Sequence, residues 1–391
     1  MIIKKVKAKK IKNSRGEDTI KVSVKCDKGK GDASAPSGAS KGKHEAKDFV
    51  LDVKDCVKYI NKEEKLKGLE INSYDDLIKV EKIINKKNVG ANPTIALEYA
   101  ILKCFGQIWR TIDPEMRAIP RPLGNVIGGG AHIKEGNFCE FQEFLLYPIN
   151  SKTFDEAARA NGFAHKLVKE RLEELKVELK MTDEGAWAPE DLTIQEILEL
   201  LKDIIVKVYE ETKITLKIGI DIAASSFWDG RNYVYRDNKL NREEQIEYIS
   251  SLIEKYDLHY VEDPLHENDF MGFAELTKRH GEKCMIVGDD LTVTNLERLK
   301  DAIKYKAING MIVKPNQNGS LIDTKIAIEY AKKHNLYLIA SHRSGETLDP
   351  SISHIAVGFK LPILKVGIEG KERKAKLSEV VKIERQIKYK I

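Results

Sequence analysis

The chain has 391 residues, more than one hydrophobic core usually fills, so length alone implies two domains or a large α/β barrel with an added piece. With 42% hydrophobic and 32% charged residues it has an ordinary globular composition, and its 66 basic and 61 acidic residues are mixed along the chain, so a net charge of +5 does not call for a nucleic-acid partner. Five cysteines, Cys26, Cys56, Cys104, Cys139 and Cys284, are odd in number, widely spaced and never in a C-x-x-C pair. That pattern argues for reduced thiols, and against a disulfide framework or a zinc site. The apolar start is too short for a signal peptide and no apolar run approaches ~20 residues, so a cytoplasmic protein with no membrane partner is expected.

Residues 2–30 alternate well enough for two or three antiparallel strands, and the lysines of 4–12 read as the solvated face of the first. The following stretch, Pro36-Ser37-Gly38-Ala39-Ser40-Lys41-Gly42, is rich in small residues. It reads either as a surface loop or as a lid whose hydroxyls and amides meet a phosphate or a metal. Helical patterns at 55–61, 73–85 and 93–112 complete a small α+β unit. Two prolines in three residues, Pro120 and Pro122, suggest a boundary, giving domains 1–120 and 121–391. Beyond it come a glycine-rich loop at 128–132, a strand at 141–146, and helices at 154–176 and 194–211.

From residue 217 one unit recurs. Apolar strands end in polar residues at Asp221, Glu262, Asp289, Lys314, Ser341 and Lys365, with helical stretches at 242–255, 270–279, 295–305 and 321–333 between them. Alternating strand and helix is the signature of a parallel (β/α) barrel, whose active site lies at the C-terminal ends of its strands. The six ends should therefore share one mouth. Asp221, Glu262 and Asp289 offer only oxygen ligands, which suits a hard cation such as Mg²⁺ better than zinc. Lys314 follows Met311-Ile312-Val313, where burial would pull an ammonium toward neutrality and make a base of it. Alone, Lys314 reads as a lysine snorkelling to solvent, and each carboxylate as a solvent-facing cap. Together they permit proton abstraction beside a carboxylate, with the metal stabilising the enediolate and the lysine taking the proton.

The motifs SGASKG, FQEF, DEGAWAP, DIAASSFWDG, VEDPLHENDF, VGDDLTVTN, VKPNQNGS and SHRSGETLD occur in that order. As a set they resemble the enolase family, the phosphopyruvate hydratases that interconvert 2-phosphoglycerate and phosphoenolpyruvate, over nearly the whole chain. The resemblance implies an α/β fold, a variant (β/α)8 TIM barrel behind a small N-terminal α+β capping domain. By position, Asp221, Glu262 and Asp289 would hold one Mg²⁺ against the substrate carboxylate, and Ser40 would help to hold a second with the phosphate. Lys314 would take the C2 proton and Glu184 would protonate the hydroxyl leaving C3. Lys365 would face the substrate carboxylate, Arg343 and Ser344 the phosphate, and His132, Glu143 and His342 would surround the leaving group and loops.

Some positions depart from the family pattern. Thr182 and Ala186 replace glycines around Asp183-Glu184-Gly185, Val366 replaces a threonine, Lys376-Leu377-Ser378-Glu379 lacks a tyrosine-asparagine, and the step from His132 to Gln142 is long. These changes leave open a paralogue acting on another carboxylate, or a binding protein on the same scaffold; the second predicts eroded metal and base positions, and none is eroded. The family dimer pairs opposite charges, whereas the matching positions here are Lys9 with Arg385 and Lys21 with Lys382. Like charges repel across an interface, so an absent or rearranged dimer is expected.

Overall fold

The computed structural model describes residues 1–38, 41–130 and 138–389. Strands β1 (Ile3–Lys12), β2 (Asp18–Cys26) and β3 (Lys30–Ser34) form an antiparallel sheet. Strand alternation gives it one dry face: Ala8, Val22, Val24 and Ala33 are buried, while Lys5, Lys7, Lys25 and Lys30 point to solvent. Helices Val53–Lys62 and Ala91–Lys103 cover the dry face. The second is buried along nearly its whole length, as a helix apolar all round must be, because its other side meets the turn Pro315–Asn318 in the barrel mouth.

Two helical expectations were too long. The pattern at 93–112 breaks into Ala91–Lys103 and Ile108–Ile112, since Gly106 takes φ +107°, a left-handed conformation no helix continues through. The pattern at 73–85 yields a helix only at Leu77–Glu81, whose preceding Asp76 makes no side-chain cap.

The remaining strands are β4 (Arg121–Gly128), β5 (Glu143–Pro148), β6 (Leu179–Met181), β7 (Trp187–Pro189), β8 (Leu216–Asp221), β9 (Tyr233–Val234), β10 (Lys239–Leu240), β11 (Tyr260–Glu262), β12 (Met285–Gly288), β13 (Gly310–Val313), β14 (Tyr337–Ser341) and β15 (Ile363–Lys365). Eight close a barrel in the order β4-β5-β8-β11-β12-β13-β14-β15, with β15 pairing back onto β4. Seven run parallel, and β5 is antiparallel to both neighbours, so the first units depart from simple alternation as expected. The hairpin β6–β7 attaches to β4. Helices Arg242–Tyr256, Phe270–His280, Leu296–Lys304 and Leu321–Lys333 fill the gaps between later strands, within a residue of their expected ends. Capping boxes of Thr193 with Glu196, and Asn241 with Glu244, start helices Ile194–Thr212 and Arg242–Tyr256.

Leu123, Leu145, Tyr260, Met285, Val287, Ile312, Ile339 and Ile363 fill the barrel as one cluster. β8 contributes Gly219 at that level because a Cβ there would lie 2.9 Å from Tyr260 Cβ, so the tyrosine takes the space. The sheet and barrel are joined by an ion pair of Lys103 with Asp349 at 2.8 Å and by Tyr74 donating to the carbonyl of Leu321 at 2.8 Å. Among the described residues no helix is long and apolar enough to cross a membrane.

Candidate active site

Strand register brings the polar strand ends together. Glu262 lies beside Asp221, Glu143 beside Asp221 on the other side, and Lys365 beside Ser341. All are buried, and Lys365 Nζ lies 2.8 Å from Asp221 Oδ2, 2.7 Å from Glu262 Oε2 and 2.9 Å from Glu143 Oε2. Burial pulls this ammonium down, but three carboxylates reverse the effect and hold it well above the ordinary lysine value. Burial, then Asp221, pushes Glu262 up to about 8. Tyr260 donates its hydroxyl to Glu262 Oε2, and Gln142 donates to Asp221 Oδ2 at 3.3 Å.

Lys314 follows β13 and pairs with Asp289 Oδ2, while Gln317 donates to Asp289 Oδ1 at 2.8 Å and the Lys314 N–H donates to Thr294 Oγ1 at 2.9 Å. The expectation that burial alone makes Lys314 a base needs correction. Burial does work against its charge, but the Asp289 carboxylate outweighs it and holds Lys314 above its ordinary value. The same contact overcomes burial at Asp289 and keeps that carboxyl below its ordinary range. Lys314 therefore stands charged until Asp289 finds another partner.

Opposite lies the tight turn between β6 and β7. Thr182 N–H donates to the Ala186 carbonyl at 2.9 Å and Ala186 N–H donates to Thr182 Oγ1 at 3.1 Å. Thr182 and Ala186 thus close the turn that presents Glu184. Gly185 is at φ +83°, and a Cβ there would sit 2.6 Å from the Glu369 carbonyl oxygen. Glu184 Oε2 lies 3.2 Å from His342 Nε2, and both are buried. Burial holds His342 below its ordinary value despite Glu184. Glu143 is pushed well above the carboxylate range by burial first, and by Glu184 against the opposing pull of Lys365. An imidazole held below and a carboxyl held above their ordinary values thus flank Glu184, surroundings suited to a group that delivers a proton to a leaving hydroxyl.

Arg343 and Ser344 are buried in the loop after β14. Arg373 Nη2 donates to both their carbonyls, at 3.3 and 2.8 Å, and the Arg343 N–H donates to Glu346 Oε1 at 3.2 Å. The N-terminal unit reaches this loop as well: Ser14 Oγ donates to the Ser344 carbonyl at 3.2 Å, and Ser37 and Gly345 exchange two backbone hydrogen bonds at 2.8 Å. Arg15 pairs with Asp183, next to Glu184. Ser40 and His132 lie outside the described residues.

Whether these groups suit a hard divalent cation can be tested on the donors. Glu262 Oε1 is buried with no hydrogen-bond partner among the described residues, and Asp221, Glu262 and Asp289 stand at the ends of consecutive strands with oxygen donors only. The set fits such an ion chemically. Its carboxylates are not yet gathered on one point, because Lys365 lies between Asp221 and Glu262 and Lys314 holds Asp289. Among the described residues the potential metal-ligating groups that do converge are Glu143, Glu184 and His342, and Asp263, Asp289 and Asp290. The second has a local use, since Asp263 accepts the backbone N–H groups of Asp289 and Asp290 at 3.0 and 2.7 Å.

The sequence reading missed Gln317, Asp263 and Glu45, whose carboxylate meets Arg343. Gln317 lay within a motif already singled out, so its place near Lys314 was within reach; Glu45 had no such signal in a chain this rich in charge. Of the residues tied to assembly, Lys9 and Lys21 face each other directly across β1 and β2, and Lys382 lies 3.2 Å from Glu379 on helix Lys371–Tyr389, which also carries exposed Arg385.

The family model for "Enolase, N-terminal domain" matches residues 3–109, and that for "Enolase, C-terminal TIM barrel domain" matches residues 116–390. The chain is 40% identical to an enolase of Archaeoglobus fulgidus over 98% of this chain and 97% of that one. It is 38% identical to an enolase of Methanothermobacter thermautotrophicus over 99% and 97%, and 40% identical to one of Methanocorpusculum labreanum over 96% of each. The chain belongs to the enolase family.

Proposed function

We propose that the protein dehydrates 2-phosphoglycerate to phosphoenolpyruvate, and runs the reverse hydration, with two Mg²⁺ per site. The observation that carries this reading is the placement of two opposed proton-transfer groups at one barrel mouth: Lys314 on the turn after β13, and Glu184 with His342 and Glu143. Lys314 leaves its pair with Asp289, gives its own proton to solvent and, as the neutral amine, takes the C2 proton, which leaves the electron pair as an enediolate on the substrate carboxylate. Glu184 then delivers a proton to the C3 hydroxyl, the C3–O bond breaks, and water leaves as the C2–C3 double bond forms. Lys365 faces the carboxylate, where its charge stabilises the extra electron pair. Asp221, Glu262 and Asp289 would hold one ion, which when bound adds positive charge at that carboxylate. Ser40 would serve the second, near the phosphate bound by Arg343 and Ser344, with His132 close to the leaving group.

In this reading the two domains divide near residue 120, in line with family matches at 3–109 and 116–390. The family's usual dimer is absent or rearranged, since Lys9, Lys21, Lys382 and Arg385 set like charges against one another. Sedimentation showing a tight dimer with Lys21 opposite Lys382 would refute that point. The function itself is tested by mixing the protein with 2-phosphoglycerate and Mg²⁺ and following the ultraviolet absorbance of phosphoenolpyruvate. A rise that Lys314→Ala abolishes supports it. No rise with the unaltered protein points to another carboxylate substrate.

A further inference from the structure

Arg343, which the reading above assigns to the substrate phosphate, already has a carboxylate partner that the reaction does not explain. Glu45 lies just after the segment 36–42 of the N-terminal unit and meets Arg343 in a two-pronged pair, with Nη1 2.9 Å from Oε2 and Nη2 2.9 Å from Oε2 and 3.2 Å from Oε1. Both side chains are 4% exposed. Burial works against the charge of Arg343, but Glu45, together with Asp48, reverses that and raises it above its ordinary value.

Two further contacts show that this is more than a chance surface pair. Glu45 Oε1 also accepts the Gly42 N–H at 3.2 Å, and the neighbouring Ala46 N–H donates to the Gln317 carbonyl at 2.7 Å. Glu45 is thus fixed at both its side chain and its chain neighbour. On the other side, Arg343 Nη1 donates to Asn316 Oδ1 at 3.2 Å, two residues after Lys314. A guanidinium is a flat fork on a flexible stem, and it binds a phosphate well only when the plane of the fork is fixed beforehand. Without Glu45 the anions left to act on Arg343 are Asp48 first and then Asp289, which belongs to Lys314.

We propose that Glu45 is a positioning residue for Arg343: its carboxylate fixes one edge of the guanidinium fork, so that Arg343 meets the substrate phosphate and stays off Asp48 and Asp289. This rests on the phosphate role given to Arg343 above. Glu45 itself touches no reacting atom, so it acts on substrate affinity and only through Arg343.

The test measures binding of phosphoglycolate, a small phosphorylated carboxylate, by calorimetry in Mg²⁺, alongside kcat and KM for 2-phosphoglycerate. Glu45→Ala should weaken phosphoglycolate binding about tenfold and raise KM by a similar factor, while kcat changes about threefold or less. Glu45→Gln, which keeps the shape and one acceptor, should recover part of the loss, and it carries the test alone if Glu45→Ala does not fold. In an Arg343→Ala background, Glu45→Ala should cost nothing further. Unchanged binding in both Glu45 variants, an equal loss in the Arg343→Ala background, or a loss confined to kcat overturns the proposal. Binding of phosphoglycolate by an unaltered protein that does not turn over 2-phosphoglycerate removes the proposed function and leaves this inference to the binding data; no binding by the unaltered protein removes both.

Discussion

Lys365→Ala should show how much of the mouth's stability depends on one buried ammonium. The lysine is 3% exposed and lies within 2.9 Å of three buried carboxylates, Glu143, Asp221 and Glu262. Removing one partner of a buried ionic cluster costs about 3–5 kcal/mol, because the charges left behind have neither water nor a counter-ion. At about 2 °C per kcal/mol for a domain of this size, the melting temperature should fall by about 6–10 °C. The cost should grow with pH. Unpaired carboxylates take up protons in the folded state, so the folded variant binds more protons than the unfolded chain and loses stability as pH rises. Glu262, pushed up to about 8 even with Lys365 beside it, and Glu143, raised well above the carboxylate range, both contribute to that trend. Thermal melts near pH 6 and near pH 9 measure this, and saturating MgCl₂ should raise the variant's melting temperature by more than it raises the wild type's. A variant that melts with the wild type near pH 9, or gains no more from Mg²⁺, would refute the view of this cluster as a cation-seeking site.

Two further expectations concern positions other than the carboxylates proposed to hold a cation. Gly185→Ala should lower kcat by at least about tenfold while destabilising the fold by only about 1–3 kcal/mol, since the left-handed φ of +83° and the Glu369 carbonyl 2.6 Å from the new Cβ displace Glu184; steady-state kinetics and melts read the two effects separately. Glu379 is held at about 2 by its hydrogen bond from His354, against an ordinary 4.5. A depressed carboxyl stabilises above its unfolded value and loses that contribution as pH falls toward about 2, so Glu379→Gln should melt below the wild type near pH 6 and converge with it in acid.

Much of the barrel could be read from the chain because β8 and β11–β15 each bury a short apolar run and end in, or are followed at once by, a polar residue. That pattern placed Asp221, Glu262, Lys314 and Lys365 before any coordinates. β4 was not legible, since Pro122, Gly124 and Gly128 look like a break. Gly124 is needed because a Cβ would meet the Asn161 amide nitrogen at 2.7 Å, and Pro122 lies only one residue into the strand. The charge state of Lys314 was not legible either. It depends on Asp289, which is distant in sequence and meets the lysine only once β12 and β13 pair. Glu45 escaped for the same reason, as its partner lies 298 residues away.

The central claim is that Lys314 removes the C2 proton and Glu184 acts later at C3. Exchange of C2 hydrogen of 2-phosphoglycerate with solvent deuterium, followed by proton magnetic resonance in Mg²⁺, separates the two steps directly. Glu184→Gln should retain exchange while losing dehydration, and Lys314→Ala should lose both. Exchange that persists in Lys314→Ala would contradict the account.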